Sequence, residues 1–303
     1  MKPSVVPADV LAEINRDHGT SYELAGALSG GFQGGAWQIV GPDGSRAVLK
    51  SNETHGSWHR VVLAAQSKVA DARRHGYPTP AWLAAGLTTQ GFAYHIQEFV
   101  PGRPAERVTE PLALQMVEVL EGCAAGHRPD QYGDPRSDWS QFVLGEMTRA
   151  ADSLPSRVAA LGPDEAAVAE RVLAFLNRVG PVRLPADDLV HGDLNLGNVL
   201  TDADGRLVGI VDIEALGAGS RAIDYASLWH SGADVADPGD SAGLNLVRAA
   251  GERSAGPAGF ALCALWNALE YIRFGADLHG AVGSARAVAA AHRRLDLLAA
   301  PSH

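Results

Sequence analysis

The feature that most narrows the fold is a change of texture at Pro101-Gly102-Arg103-Pro104. From Tyr22 to Lys50, short apolar runs are separated by glycine-rich turn signals; beyond the break, apolar residues recur mostly every three or four positions. Short runs between turn signals read as strands, and three-and-four spacing as amphipathic helix. Strands are therefore expected over Leu24–Leu28, Trp37–Val40, Arg46–Lys50, Ala81–Leu87 and Ala93–Val100, with Pro42-Asp43-Gly44 as a hairpin turn. A helix from Trp58 to His75, closed by Gly76 and Pro78, interrupts them, and a short helix around Val10, Leu11 and Ile14 precedes them. Past the break the spacing predicts helices over Pro111–Gly126, Trp139–Ala151, Asp164–Val179 and from Ile223 onward. A β-rich insert, Val199–Leu200 and Leu207–Ile213 about the turn Asp202-Ala203-Asp204-Gly205, divides them. The expected class is α+β and bilobal, with a small antiparallel β-rich lobe over residues 1–100, a connector near 97–102, and a larger, mainly helical lobe over 103–303.

With 46% hydrophobic and 20% charged residues, the composition is that of a soluble globular protein. The net charge of −10 argues against a nucleic-acid partner, because phosphate backbones recruit Lys and Arg. Acidity is compatible with a cationic small molecule. No apolar run approaches the roughly 20 residues needed to span a bilayer, and Met1-Lys2-Pro3-Ser4 does not open a signal peptide. A cytoplasmic protein with no membrane partner is expected; oligomeric state is not legible. Cys123 and Cys263 each sit in an apolar, helix-like stretch and read as buried thiols. The eleven histidines lack zinc spacing, and neither a nucleophile elbow nor a P-loop occurs.

The strongest chemical signal is His191-Gly192-Asp193-Leu194-Asn195-Leu196-Gly197-Asn198, followed by a strand ending Ile210-Val211-Asp212. Phosphoryl transfer needs a carboxylate beside the attacking hydroxyl and oxygen ligands that hold Mg²⁺ against the phosphates. A hairpin between the two motifs can set Asn198 and Asp212 on one metal while Asp193 faces the acceptor. An isolated Asp-Asn pair is usually a solvated turn; the full pattern is far more specific.

These motifs resemble the catalytic and metal-binding pair of the aminoglycoside phosphotransferase and choline kinase family, whose fold is similar to that of protein kinases. The resemblance implies that Asp193 accepts or orients the hydroxyl proton, that His191 braces its loop, and that Asn198 and Asp212 bind Mg²⁺. It further implies that the first lobe binds ATP, with GTP as an alternative. There, Ser29, Gly30, Gly31, Phe32, Gln33 and Gly34 would fold over the triphosphate, and Lys50 would contact the α- and β-phosphates. Gln97, Glu98, Phe99 and Val100 would form the hinge against the base. Asp224 matches an aspartate that steadies the catalytic region. Ile213 and Glu214 follow Asp212 where protein kinases have Phe-Gly, and no Ala-Pro-Glu segment is present, which argues against a protein acceptor. The family glutamate that holds the lysine falls near Gln66, and Glu53 lies too close in sequence to replace it.

The resemblance places the acceptor on the helical lobe. Acidic candidates to bind it are Glu270, Asp277 and Glu214, with Asp134, Asp138 and Glu146 behind them. The expected activity is ATP-dependent phosphorylation of a hydroxyl on a cationic antibiotic, an aminoglycoside or a tuberactinomycin-type cyclic peptide, conferring resistance. The alternatives are a small-metabolite kinase for choline, a sugar or homoserine, and a nucleotide-binding module without turnover.

Overall fold

The computed structural model describes residues 7–28, 36–53, 58–127, 138–148, 152–235 and 241–299. The glycine-rich loop Ser29–Gly35 and Asp134 lie outside them. In chain order the elements are α1 (Pro7–His18), β1 (Glu23–Ala27), β2 (Ala36–Val40), β3 (Arg46–Glu53), α2 (Trp58–Arg74), β4 (Trp82–Leu87), β5 (Phe92–Glu98) and β6 (Arg103–Pro104). Then come α3 (Glu110–Gly122), α4 (Trp139–Thr148), α5 (Leu154–Ala159), α6 (Pro163–Val179) and β7 (Asp188–Val190). After a 3-10 turn at Leu196–Asn198 follow β8 (Val199–Thr201), β9 (Leu207–Ile210), β10 (Gly217–Gly219), α7 (Ala222–Val235) and α8 (Ser241–Ala299).

The chain forms two compact units, Met1–Ala105 with Gly197–Leu216, and Glu106–Leu196 with Gly217–His303. The first unit thus runs past residue 100 to Ala105 and takes in a second, later segment. The β8–β9 hairpin returns to the first unit because β8 pairs antiparallel with β6, and because Ile210 N–H donates to Pro78 O at 2.7 Å.

In the first unit an antiparallel sheet runs β1-β2-β3-β5-β4. Alternation sorts its two faces. Ile39, Ala47, Leu49, Tyr94 and Ile96 bury themselves against Val10, Leu11 and Ile14 of α1. Val48 and Lys50 point the other way, opposite Gln97 and His95 of β5. The β2–β3 hairpin turns at Gly41–Ser45, where Gly44 takes φ +80 and Asp43 Oδ1 accepts Ser45 N–H at 3.0 Å. Helix α2 buries Val61, Val62, Ala65, Val69 and Ala72, the expected three-and-four stripe, and packs along β4 and β5.

The second unit is mainly helical, with β7 and β10 as a two-stranded antiparallel pair. Thr109 caps α3 by accepting Leu112 N–H at 3.3 Å, and Ser153 caps α5. Ser241–Ala299 is helical but folds back on itself. A straight helix would put residues 49 apart about 70 Å from each other, whereas Arg248 Nη1 donates to Leu297 O at 2.9 Å. Gly256, at φ +73 and followed by Pro257, marks one bend. Neither Cys123 nor Cys263 forms a disulfide, and both are buried. Among the described residues, no helix is long and apolar enough to cross a membrane.

Candidate active site

Within the first unit, pairing of β8 with β9 sets Val199 opposite Ile210, and Val211 N–H donates to Asn198 O at 2.9 Å. Asn198 and the residue before Asp212 are therefore cross-strand neighbours. Asp212 itself takes φ +66, a left-handed conformation uncommon outside glycine and tolerated better by Asp than by most residues. Such strained positions cluster at functional sites.

The Asp212 carboxylate, half exposed, accepts a hydrogen bond from Lys50 Nζ at 2.5 Å. Lys50 also donates to Glu214 Oε1 at 2.8 Å, and Glu214 is buried. Across β3–β5 Lys50 faces His95, whose ring stacks on Trp82 at 3.8 Å between centroids and whose Nε2 lies 3.6 Å from Glu214 Oε1. The electrostatics follow from burial and proximity. Burial works against a charged Lys50, but the Glu214 and Asp212 carboxylates outweigh it and hold the ammonium above its ordinary range. Burial would raise Glu214, yet Lys50 holds it below the usual carboxylate range. Burial and the neighbouring Glu214 charge push Asp212 up, against the pull of Lys50. Burial, reinforced by the Lys50 charge, drives His95 down to about 3, so it stands neutral.

Within the second unit, Asp224 at the start of α7 organises the His191–Asp193 loop. It is fully buried, and its two oxygens accept the amides of His191 at 2.8 Å and Gly192 at 3.0 Å. His191, also fully buried, accepts Asp193 N–H on Nδ1 at 3.2 Å. The tight path needs Gly192 at φ +85, where a Cβ would collide with the Trp139 indole. Asp193 stays exposed and accepts a hydrogen bond from Asn195 Nδ2 at 2.8 Å. Leu196 N–H is held by Ser231 Oγ at 3.1 Å. Burial pushes the Asp224 carboxyl up to about 6, against the His191 interaction and the amide bonds that favour its charge. The loop is a carboxylate presented on a buried, hydrogen-bonded frame.

Other expected residues fall differently. Gln66 is exposed on α2 and makes no hydrogen bond to Lys50; the counter-charge comes from Glu214 instead. Glu214, expected among the acids facing an acceptor, here forms a buried ion pair with Lys50. Glu270 is bonded to Arg273 at 2.6 Å, and Asp277 lies 3.8 Å from the same guanidinium. Glu146 pairs with Arg157, and Asp138 accepts Gln141 N–H at the start of α4. At the hinge, Glu98 N–H is already bonded to Ala81 O at 3.0 Å and Phe99 N–H to Arg46 O at 3.4 Å, while the Arg46 guanidinium covers the Phe99 ring. Gln97 is buried on the sheet face that carries Lys50. Sequence reasoning missed the Trp82–His95 stack behind Glu214 and the aromatic group Trp139, Phe142 and Trp266 beside Gly192. The available signal was an acid set within the apolar run Ile210–Leu216, where burial demands a partner.

The profile of the phosphotransferase enzyme family matches residues 25–264, most of the chain and every motif above. The chain belongs to this family. It is a phosphotransferase with an alcohol group as acceptor, on a kinase-like fold. The fold is shared with solved structures at low identity. A GDP complex of wild-type aminoglycoside 2'-phosphotransferase-IIIa aligns with TM-score 0.68 and 16% identity, over 97% of this chain and 99% of that one. A thermostable mutant of aminoglycoside phosphotransferase APH(4)-Ia, in ternary complex with ADP and hygromycin B, aligns with TM-score 0.64 and 19% identity, over 95% and 98%. A GDP and kanamycin complex of the 2''-phosphotransferase aligns with TM-score 0.65 and 15% identity, over 95% and 99%. No curated protein matches the chain significantly in sequence.

Proposed function

We propose that this phosphotransferase moves the γ-phosphoryl of ATP, or of GTP, onto a hydroxyl of a cationic antibiotic. The observation that carries the reading is Asp193 held exposed on a frame that Asp224 and His191 bury and satisfy. A carboxylate so positioned accepts or orients the proton of the attacking hydroxyl without first reorganising its loop. Lys50 would neutralise the donor phosphates, and the hinge would offer the backbone of Val100 to the base, since the amides of Glu98 and Phe99 are taken. Asn198 and Asp212 fit Mg²⁺, a hard cation bound through one or two carboxylates and substrate phosphates. Their oxygen donors stand at adjoining ends of one hairpin, and the left-handed Asp212 leaves its carboxylate half exposed. When bound there, Mg²⁺ would neutralise charge on the β- and γ-phosphates.

The antibiotic class is supported by the aminoglycosides hygromycin B and kanamycin bound to proteins of the same fold, and by the net charge of −10. One observation favours a second reading, a small-metabolite kinase. Glu270 and Glu146, two of the acids expected to greet a polycation, are already neutralised by Arg273 and Arg157. The deciding experiment is a susceptibility screen of cells expressing the protein against aminoglycosides and tuberactinomycins, with mass spectrometry of any inactivated drug. A gain of 80 Da on the drug, one phosphoryl, is expected. ADP release on a metabolite alcohol alone would move the function to the second reading.

A further inference from the structure

We infer that Glu214 is the positioning residue for Lys50, in the place that a glutamate on the following helix would otherwise fill. The inference rests on the reading that Lys50 binds nucleotide phosphates. A lysine reaching for phosphates across a sheet face needs a fixed counter-charge, because its four-carbon stem is otherwise free to rotate. Helix α2 does not supply one at the expected turn: Gln66 is neutral, exposed and not bonded to Lys50. Among the described residues, the carboxylates bonded to Lys50 Nζ are Asp212 at 2.5 Å and Glu214 at 2.8 Å.

These two acids are not equivalent. Asp212 is half exposed and, on the proposed reading, would spend its charge on Mg²⁺. Glu214 is buried, points at Lys50 from the strand-end loop, and is backed by the neutral His95 stacked on Trp82. Glu214 would therefore remain with Lys50 were Asp212 engaged by Mg²⁺. Its attachment two residues beyond Asp212 ties lysine support to the metal loop rather than to α2.

A double-mutant cycle on the full-length protein tests this, with calorimetric titration of Mg–AMP-PNP and Mg–GDP as probes and thermal unfolding as the check on folding. Lys50→Ala and Glu214→Gln should each weaken the tighter-binding nucleotide by about tenfold, since each removes one charge-assisted contact. The double variant should fall within about threefold of Lys50→Ala, because Glu214 acts through the lysine. Glu214→Asp, which keeps the charge on a shorter arm, should lose less than Glu214→Gln, and Gln66→Ala should bind as wild type. Losses that multiply to about a hundredfold in the double variant would assign Glu214 an independent role, as a metal ligand for instance, and overturn the inference. So would wild-type affinity in a folded Glu214→Gln, or a loss in Gln66→Ala. If Glu214→Gln does not fold, Glu214→Asp takes its place in the cycle, and an equal loss with and without Lys50 is the overturning result. Wild-type protein that binds neither nucleotide would instead remove the donor reading on which this rests.

Discussion

Replacing Gly192 with Ala tests whether the His191–Asp193 loop is shaped by backbone and packing together. Two costs can be worked from the structure. At φ +85 a Cβ brings the left-handed penalty of about 1–2 kcal/mol. The same Cβ collides with the Trp139 indole, an overpacking that costs about 1–3 kcal/mol where neighbours cannot yield. The sum, about 2–5 kcal/mol, is a large fraction of the stability of a typical domain. A second background separates the terms: with Trp139→Leu the collision is relieved, so Gly192→Ala should then cost only the backbone part, about 1–2 kcal/mol. Urea unfolding followed by far-ultraviolet circular dichroism measures both differences. Turnover of the single variant should fall as well, because the His191 and Gly192 amides would have to shift from Asp224, next to Asp193. A cost below about 0.5 kcal/mol, the range of an ordinary surface substitution, would refute the reasoning. An identical cost in both backgrounds would refute the packing term alone.

Further outcomes follow from the same geometry. Asp193→Ala should reduce turnover by about 10²–10⁴ with nucleotide affinity largely kept; turnover like that of wild type would remove Asp193 from catalysis. Asp212→Ala should weaken Mg-nucleotide binding and turnover together, and unchanged calorimetric affinity would contradict its metal role. Burial, with the nearby Arg294 charge, drives His230 down to about 3. An unfolded-chain histidine titrates near 6.5, so this contribution to stability is complete above that pH. It is lost as pH falls toward 3, at up to about 1.4 kcal/mol per pH unit. His230→Phe should flatten that acid limb by one proton, and an unchanged slope would count against the buried neutral ring.

What could be read from the residues, and what could not, divides along a physical line. Periodicity and punctuation are local, so β1 to β5, α2, the β8–β9 hairpin and the long helices were visible within a few residues of their ends. The short α5 and the three-residue strands β7 and β10 were not, because strands of that length carry no period and are made by their partners, Val190 with Gly217 and Asp188 with Gly219. The hairpin's return to the first unit was likewise invisible, since β6 is two residues long and exists through its pairing with β8. The site divides the same way. Asp193, Asn198 and Asp212 stood out because a carboxylate and two further oxygen donors flank one short hairpin, a local pattern that phosphoryl transfer can use.

The Glu214 ion pair is not legible along the chain, because what an acid contacts depends on what it is buried against. Read along the sequence, Glu214 was one of several carboxylates suited to a cationic acceptor. Folded, it is separated by 164 positions from the lysine it holds, with His95 behind it. The same contact explains how Gln66 can stand where a charged partner was expected. A buried lysine without an acid would be driven toward its neutral form, and an acid on the Asp212 loop prevents that as well as one on a helix. The Lys50 strand and the loop that carries Asp212 and Glu214 therefore share one charge network, so a substitution in either should change nucleotide affinity through the other.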